Sequence, residues 1–350
     1  MFITGLGTAV PPRRYAQTEC WEAFLQSPQS RRLNSRSRAI IKKVLTGNNG
    51  VVSRHLALEH LGQAFEVTPD VLHERYRKHA PLLASQAAER ALADAGCQAA
   101  EIEAVLISSC TGYLCPGLTS YVSERLGLRS DALMLDLVGQ GCGAALPNLR
   151  AAEALLTAGR SRVLSICVEI CSAALYFDDD PGVLISACLF GDGAGAAVLA
   201  SQPNGHRGVK FKTSGSMLRP NDRDLLRFEQ KDGMLRNILM PQVPALAAQH
   251  AGKVFDDVLA RTGLPRSQVT GWVLHPGGRD VLLALRRRLE LSEQDVRCSE
   301  VVLRDFGNLS SPSVFFVLQA ALADSTPRGH WWMSSFGAGF SCHGAFLEVE

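Results

Sequence analysis

Twice in this chain a helical pattern is shut by a glycine and followed, at identical offsets, by a short run of residues of the buried type. Residues 81–95 (PLLASQAAERALADA) read as an alanine-rich helix that stops at Gly96, with Ile102 six residues on and Val105-Leu106-Ile107 nine to eleven residues on. A second helical pattern stops at Gly263, and Val269 and Trp272-Val273-Leu274 stand at the same six and nine to eleven. Glycine ends a helix because it takes the left-handed backbone freely. A brief apolar run between turn signals reads as a strand covered on both faces. Helices alternating with such strands specify an α/β fold. The echo continues: Cys110 and His275 end the two runs, and Cys142 and Asn308 each precede a helix that leads into a further strand. A duplicated unit would carry functional side chains at equivalent strand and helix ends, although any α/β chain shows some echo of this kind.

The rest of the chain follows the same grammar. MFITGLGTAV reads as a first strand, with strands at Met134–Val138 and Arg162–Glu169 and a helix over Gly143–Gly159. Ala187–Leu199 holds two apolar stretches around a Gly-Asp-Gly turn. Residues 202–223 are polar and rich in Gly, Pro, Asn and Ser, which marks a junction and divides the chain into halves at 1–202 and 203–350. Beyond it come a helix to Thr262, a helix after Asn308, and strands at Trp331–Ser335 and Phe340–Val349. A length of 350 residues and 46% hydrophobic residues suffice for a large core. Thirty-six Lys and Arg against 34 Asp and Glu leave +2, so global charge points to neither nucleic acid nor a membrane surface. No apolar run reaches the 18 or so residues of a spanning helix. The N-terminus places its basic residues after the apolar stretch, the reverse of a secretory signal, so a cytoplasmic protein is expected.

Ten cysteines show no CxxC pair and no zinc-type spacing, and most lie in apolar segments where a thiol serves as a small hydrophobe. Cys142 differs. It sits in Gly139-Gln140-Gly141-Cys142-Gly143 just before a helical pattern, where unpaired N–H groups and the helix dipole favour a thiolate. The alternative is a packing cysteine in a tight corner. His275 ends an apolar strand and enters Pro276-Gly277-Gly278, a position suited to chemistry or simply to capping. Asn308, in Gly307-Asn308-Leu309-Ser310-Ser311-Pro312, is either a helix cap or an amide donor aimed at a carbonyl oxygen. The other histidines have weaker settings: His73 and His79 in a charged helix, His206, His250 and His330 in polar surroundings, and His55, His60 and His343 in no motif. Cys, His and Asn in this order suit thioester chemistry without a metal or flavin. A papain-like hydrolase shares the order but needs a C-G-[SA]-C-[WY] signature that is missing.

The motifs together resemble the type III polyketide synthases, the chalcone and stilbene synthase family. Gln140-Gly141-Cys142 is similar to its nucleophile motif, and Leu189-Phe190-Gly191-Asp192-Gly193 to the segment bearing a gatekeeper phenylalanine. Trp272 to Gly278 and Gly307 to Ser311 resemble its His and Asn motifs. Thr111 to Gly117, with Cys115, resembles the loop that lines the cavity across the dimer. Gly337-Ala338-Gly339 falls where the family has a Gly-Pro-Gly loop. The resemblance implies a thiolase-like duplicated αβαβα layered fold, a homodimer, and acyl-CoA and malonyl-CoA as substrates with no cofactor. It implies Cys142 as nucleophile, His275 and Asn308 as the decarboxylating pair, Phe190 as gate and Cys110 facing the cavity. Lys42, Lys43, Arg54, Gly277 and Gly278 fall near the family's CoA site, though for the three basic residues an ordinary solvated face is an equal reading. Ala338, Gly143 and, near a second gatekeeper position, Asn237 depart from plant members, as do the small residues Cys171 and Ala174. They suggest a bacterial-type enzyme taking long alkyl starters to a resorcinol or pyrone. Rival readings are a ketoacyl-carrier-protein synthase, whose His-Gln-Ala-Asn motif is replaced here by His275-Pro276-Gly277-Gly278, and an acyl-CoA-binding scaffold.

Overall fold

The two glycine-closed helices form, and each ends in a left-handed glycine: Pro69–Ala95 at Gly96 (φ 61°) and Val243–Thr262 at Gly263 (φ 66°). The computed structural model describes residues 1–205 and 208–350; His206 lies outside them. The first helix begins at Pro69, well before the expected Pro81. Thr68 caps it, accepting from the Val71 N–H at 3.4 Å, and Pro81 lies buried inside the helix. An internal proline costs a helix about 3 kcal/mol. Here packing prevails, because one helical face (Ala80, Ala84, Ala87, Ala91) presses directly on strand Phe2–Ala9. Gly5 makes that approach possible: a Cβ there would lie 2.1 Å from the Ala91 carbonyl oxygen.

Nine strands form one sheet in the order Val269–Leu274, Gly329–Gly337, Ser341–Val349, Val209–Leu218, Phe2–Ala9, Gly193–Ala200, Arg162–Glu169, Ala104–Ser108 and Leu133–Leu137. Reading outward from the central pair, Phe2–Ala9 and Val209–Leu218, gives the same sequence of pairings on both sides. Two antiparallel neighbours come first, then a parallel one. Only Leu133–Leu137 has no counterpart. The sequence echo is therefore a spatial one, and the fold is the thiolase-like duplicated α/β arrangement.

Helices Ala145–Thr157 and Ser313–Ala323 share a single hydrophobic cluster with both halves of the sheet, in which Leu146, Leu149, Phe315, Leu318, Trp331 and Leu347 are all fully buried. The segments that lead into these two helices therefore meet near the middle of the molecule. The polar stretch 202–223 departs from expectation. It contains the central strand Val209–Leu218, whose Val209 and Phe211 are buried while Lys212 is exposed. Its alternation was masked by flanking turn residues. Ala187–Leu199 resolves into helix Pro181–Leu189 and strand Gly193–Ala200. A separate hairpin, Leu226–Lys231 with Met234–Leu239, stands outside the main sheet. No helix among the described residues is long and apolar enough to cross a membrane.

Candidate active site

Cys142 occupies a tight turn, Gly141–Gly143, that feeds helix Ala145–Thr157, so the thiol does stand at a helix N-terminus. Gly141 needs its positive φ of 53°. Behind the turn runs the end of strand Gly329–Gly337. A Cβ on Gly337 would lie 2.3 Å from the Gln140 carbonyl oxygen, 2.5 Å from the Gly143 nitrogen and 3.1 Å from the Cys142 nitrogen. Ala338 backs Gly141 in the same way, and Gly339 takes φ 127° in the loop that follows. The Gly337-Ala338-Gly339 segment is thus the wall against which the Cys142 turn is seated, rather than an open cavity lining.

His275, Asn308 and Cys142 are brought to one place through a short chain of contacts. Ser310 Oγ donates to Cys142 Sγ at 3.3 Å, and the Ser310 N–H donates to Asn308 Oδ1 at 2.8 Å. Asn308 Nδ2 in turn donates to the Gly277 carbonyl oxygen at 3.1 Å. The ring of His275 meets Phe336 edge-on at 5.1 Å, one residue before Gly337. Asn308 is not the cap of helix Ser313–Ala323, which starts from Pro312 without a side-chain cap. Ser310 sits at φ 59°, a left-handed conformation that costs a non-glycine residue on the order of 1 kcal/mol. Its hydroxyl is the hydrogen-bond partner of the Cys142 thiol.

Electrostatics run against the thiolate expected at a helix N-terminus. Burial pushes the Cys142 thiol up to about 12, with the Ser310 hydroxyl pulling the other way. Burial alone takes His275 down to about 3. Both groups are neutral near pH 7, because loss of water outweighs the helix N-terminus. His275 is 1% exposed, yet neither ring nitrogen has a hydrogen-bond partner.

Near the thiol, and bonded to Cys110 and Ser311, lies Glu169, a carboxylate at the end of strand Arg162–Glu169 that sequence reasoning missed. It is 1% exposed and accepts from Ser311 Oγ (2.7 Å), Thr111 Oγ1 (2.9 Å), the Cys110 N–H (3.0 Å) and Cys110 Sγ (3.3 Å). Burial raises its pKa, and these donors oppose the shift. Cys110 is therefore beside the site, its sulfur 4.0 Å from Ser310 Oγ.

Phe190 borders a cavity of about 30 Å³ together with Ser310, Thr111, Cys171, Phe228 and Asn237. Its backbone is pinned beside Asn308, whose N–H donates to the Leu189 carbonyl and whose carbonyl accepts from the Gly191 N–H, both at 2.9 Å. A second cavity of about 40 Å³, mostly apolar, shares Leu56, Leu175 and Ala187 with the first. Cys115 is exposed in the loop Thr111–Gly117 with Tyr113, and does not reach the cavity within this chain. Lys42 and Lys43 are exposed on helix Ser35–Thr46. Arg54 contradicts its expected CoA role. It is 4% exposed, and its guanidinium donates to Gln17 Oε1 (3.0 Å) and to the carbonyls of Ala187 and Phe190 (2.8 Å each), so it braces the segment that carries Phe190 from inside. Gly277 and Gly278 form the turn between His275 and helix Arg279–Arg288, where Gly277 supplies the carbonyl to Asn308.

The profile of chalcone and stilbene synthase N-terminal domains matches residues 1–203, and that of the C-terminal domains matches residues 213–344. The chain belongs to this family. It is a type III polyketide synthase, a condensing enzyme of the acyltransferase class. Among curated relatives, a 3,5-dihydroxyphenylacetyl-CoA synthase of Streptomyces toyocaensis is 30% identical over 93% of this chain and 84% of its own. A 1,3,6,8-tetrahydroxynaphthalene synthase of Streptomyces peucetius subsp. caesius is 30% identical over 99% of this chain and 92% of its own. The crystal structure of PKS-I from the brown alga Ectocarpus siliculosus superposes with a TM-score of 0.90 at 27% identity, covering 100% of this chain and 98% of that one.

Proposed function

We propose that this synthase loads an acyl group from CoA onto Cys142 and extends it with malonyl-CoA through His275 and Asn308, with no cofactor beyond the thioester substrates. The observation that supports the reading is the buried His275 imidazole, both nitrogens without a partner among the described residues, linked through Gly277, Asn308 and Ser310 to the Cys142 thiol. Buried polar atoms normally have partners, so an orphaned imidazole here suits a ligand oxygen. In loading, Cys142 sulfur bonds to the acyl carbon, the CoA–S bond breaks, and the thiol proton leaves with CoA. Malonyl-CoA then loses carbon dioxide. His275 and the free N–H of Asn308 hold the enolate oxygen, and the enolate carbon attacks the Cys142 thioester, expelling the sulfur.

Lys42 and Lys43, exposed and without an ion-pair partner among the described residues, are the basic residues left to meet CoA phosphates, with Gly277 and Gly278 lining the approach to His275. Phe190 acts as the gate into the cavity. The halves 1–202 and 203–350 act as two units contributing Cys142 and the His275–Asn308 pair. The protein works in the cytoplasm as a homodimer. Among the described residues strand Leu133–Leu137 lies at the edge of the sheet, followed by Val138 at 67% exposure. Light scattering at micromolar concentration tests this, and a monomer refutes it.

For the starter, the relatives guide the reading. Their names carry dihydroxyphenyl and tetrahydroxynaphthalene rings, and the cavity beside Phe190 is narrow, which together support a short acyl starter and a phenolic product over the long alkyl chain expected from sequence. The neighbouring apolar cavity behind Leu56, Leu175 and Ala187 supports a second reading with an alkyl starter. Incubation with malonyl-CoA alone and with a ladder of acyl-CoA starters, read by mass spectrometry, separates the two. The first reading requires efficient turnover with malonyl-CoA alone or with acetyl-CoA. Absence of any condensation product, or full product formation by Cys142→Ala, overturns the assignment of Cys142.

A further inference from the structure

The cavity beside Ser310 has two walls that are not continuous in the chain. One is the inner face of helix Pro181–Leu189 with the adjoining Phe190, contributing Val183, Ser186 and Ala187. The other is the detached hairpin, contributing Phe228 and Asn237. Phe228 and Asn237 pair across the hairpin, and the next pair along is Glu229 with Arg236. Side chains alternate along a strand, so this second pair projects from the opposite face.

Arg236 is 13% exposed and holds three carboxylates: Asp178 Oδ2 at 2.7 Å, Glu229 Oε1 at 2.7 Å and Asp180 Oδ2 at 3.4 Å. Asp178 and Asp180 stand immediately before helix Pro181–Leu189. Asp180 also caps that helix, its Oδ1 accepting from the N–H groups of Gly182 (2.8 Å) and Val183 (3.3 Å). The guanidinium therefore joins the start of one cavity wall to the other wall. Packing joins them too: Gly182 abuts the Leu239 backbone, Leu189 and Ile185 share a cluster with Leu226 and Leu239, and Tyr176, Val183 and Ile238 form a smaller cluster with Met234. The guanidinium adds the charged tie on the face away from the cavity. Tyr176 Oη donates to Asp232 Oδ2 at 3.2 Å at the hairpin tip.

We propose that Arg236 is a positioning residue that fixes the separation of these two walls and so sets the size of acyl chain the enzyme accepts and the number of extensions it completes. The inference rests on the polyketide synthase reading. Arg236 touches no reacting atom. It acts through Asp178 and Asp180 on the helix that ends at Phe190, and through its own strand on Asn237.

The test compares wild type with Arg236→Met and Asp178→Asn, which break the clasp from opposite sides, and with Arg236→Lys, which keeps a charge but loses the forked geometry. Hydrogen exchange of the 226–239 amides reports hinge opening without reference to activity, and product profiles report cavity size. Both clasp-breaking variants are expected to exchange these amides about tenfold faster. They are also expected to raise kcat/KM for a decanoyl relative to an acetyl starter about tenfold, with longer products, and Arg236→Lys should fall between. Faster exchange with unchanged starter preference and product length overturns the proposal, as does unchanged exchange. If wild type condenses nothing, the functional reading fails instead. If Arg236→Met does not fold, Asp178→Asn decides alone, since it keeps the shape of the side chain and the Asp180 cap.

Discussion

A neutral, buried His275 makes stability pH-dependent in a way that can be separated from every other group. An imidazole whose folded pKa lies below its unfolded value contributes stability above the unfolded pKa, and that stability is lost as pH falls from there toward the folded one. With about 6.5 unfolded and about 3 folded, the unfolded chain gains about 2 kcal/mol from protonating this residue between pH 7 and pH 5, while the folded chain gains almost nothing. His343, taken down to about 4 by burial and by Arg150, adds a loss of similar size over the same range. Glu169 and Asp192, raised by burial, change stability in the opposite sense. These contributions are common to wild type and His275→Gln and cancel in their difference. The measurement is urea unfolding of both proteins at pH 7, 6 and 5. Wild type is expected to lose about 2 kcal/mol more than the variant between the extremes. Parallel pH dependences, within about 0.5 kcal/mol, would mean that the folded site accepts the proton, and the picture of a dry, neutral imidazole would be wrong.

Other expectations follow from single contacts. Because burial holds the Cys142 thiol at about 12, alkylation by iodoacetamide at pH 7.5 should be slower there than at exposed Cys115, as peptide mass spectrometry of the two sites would reveal. Ser310→Ala removes the hydrogen bond that lowers the Cys142 pKa and should slow that alkylation further; acceleration refutes it. Gly337→Ala places a methyl 2.3–3.1 Å from three backbone atoms of the nucleophile turn. It should cost about 1–3 kcal/mol in stability and roughly 10²-fold in kcat, whereas unchanged turnover would show that the turn is free to shift. Arg54→Met should destabilise by about 1–3 kcal/mol, since two buried carbonyls lose their donors. Lys42→Ala with Lys43→Ala should instead raise KM for CoA thioesters with little change in melting temperature.

The parts legible in the sequence were those written into local chemistry. Gly96 and Gly263 announced helix ends because a left-handed backbone selects glycine. The apolar runs after them announced strands because both faces are covered. The echo between halves, visible as matched offsets, is the mirror order of pairings about Phe2–Ala9 and Val209–Leu218. The opening turns of Pro69–Ala95 were missed because Pro81 reads as a start, and tertiary burial of an alanine face overrode it. Strand Val209–Leu218 was missed because its buried residues are few and its neighbours are turn formers. In the site, Cys142, His275 and Asn308 were marked by glycines and strand ends. Ser310 and Glu169 were not, since a serine two residues past Asn308 looks like a cap and only coordinates reveal its left-handed backbone. Arg54 was misread for a related reason: sequence shows a cation but not the two carbonyls that claim it.

Burial of Cys142 and His275, which raises one pKa and lowers the other, bears on how the proposed chemistry would run. An ion pair between Cys142 and His275 would be ready before substrate arrives, and would also be open to any electrophile that diffused in. On the proposed function, a neutral thiol bonded to Ser310 and a neutral imidazole would stay quiet until a thioester entered the cavity beside Phe190. The dryness that disfavours the thiolate is the same dryness that makes N–H groups worth more to a developing enolate oxygen, because neither is screened by water. It also keeps a proton source away from the carbanion. In the proposed reaction a neutral His275 would retain one N–H to donate to the enolate, whereas an imidazolium would be a strong enough acid to quench it. On this argument burial is the means by which one pocket suits decarboxylation and condensation in turn, and the glycine wall at Gly337 and the brace at Arg54 serve to keep it sealed.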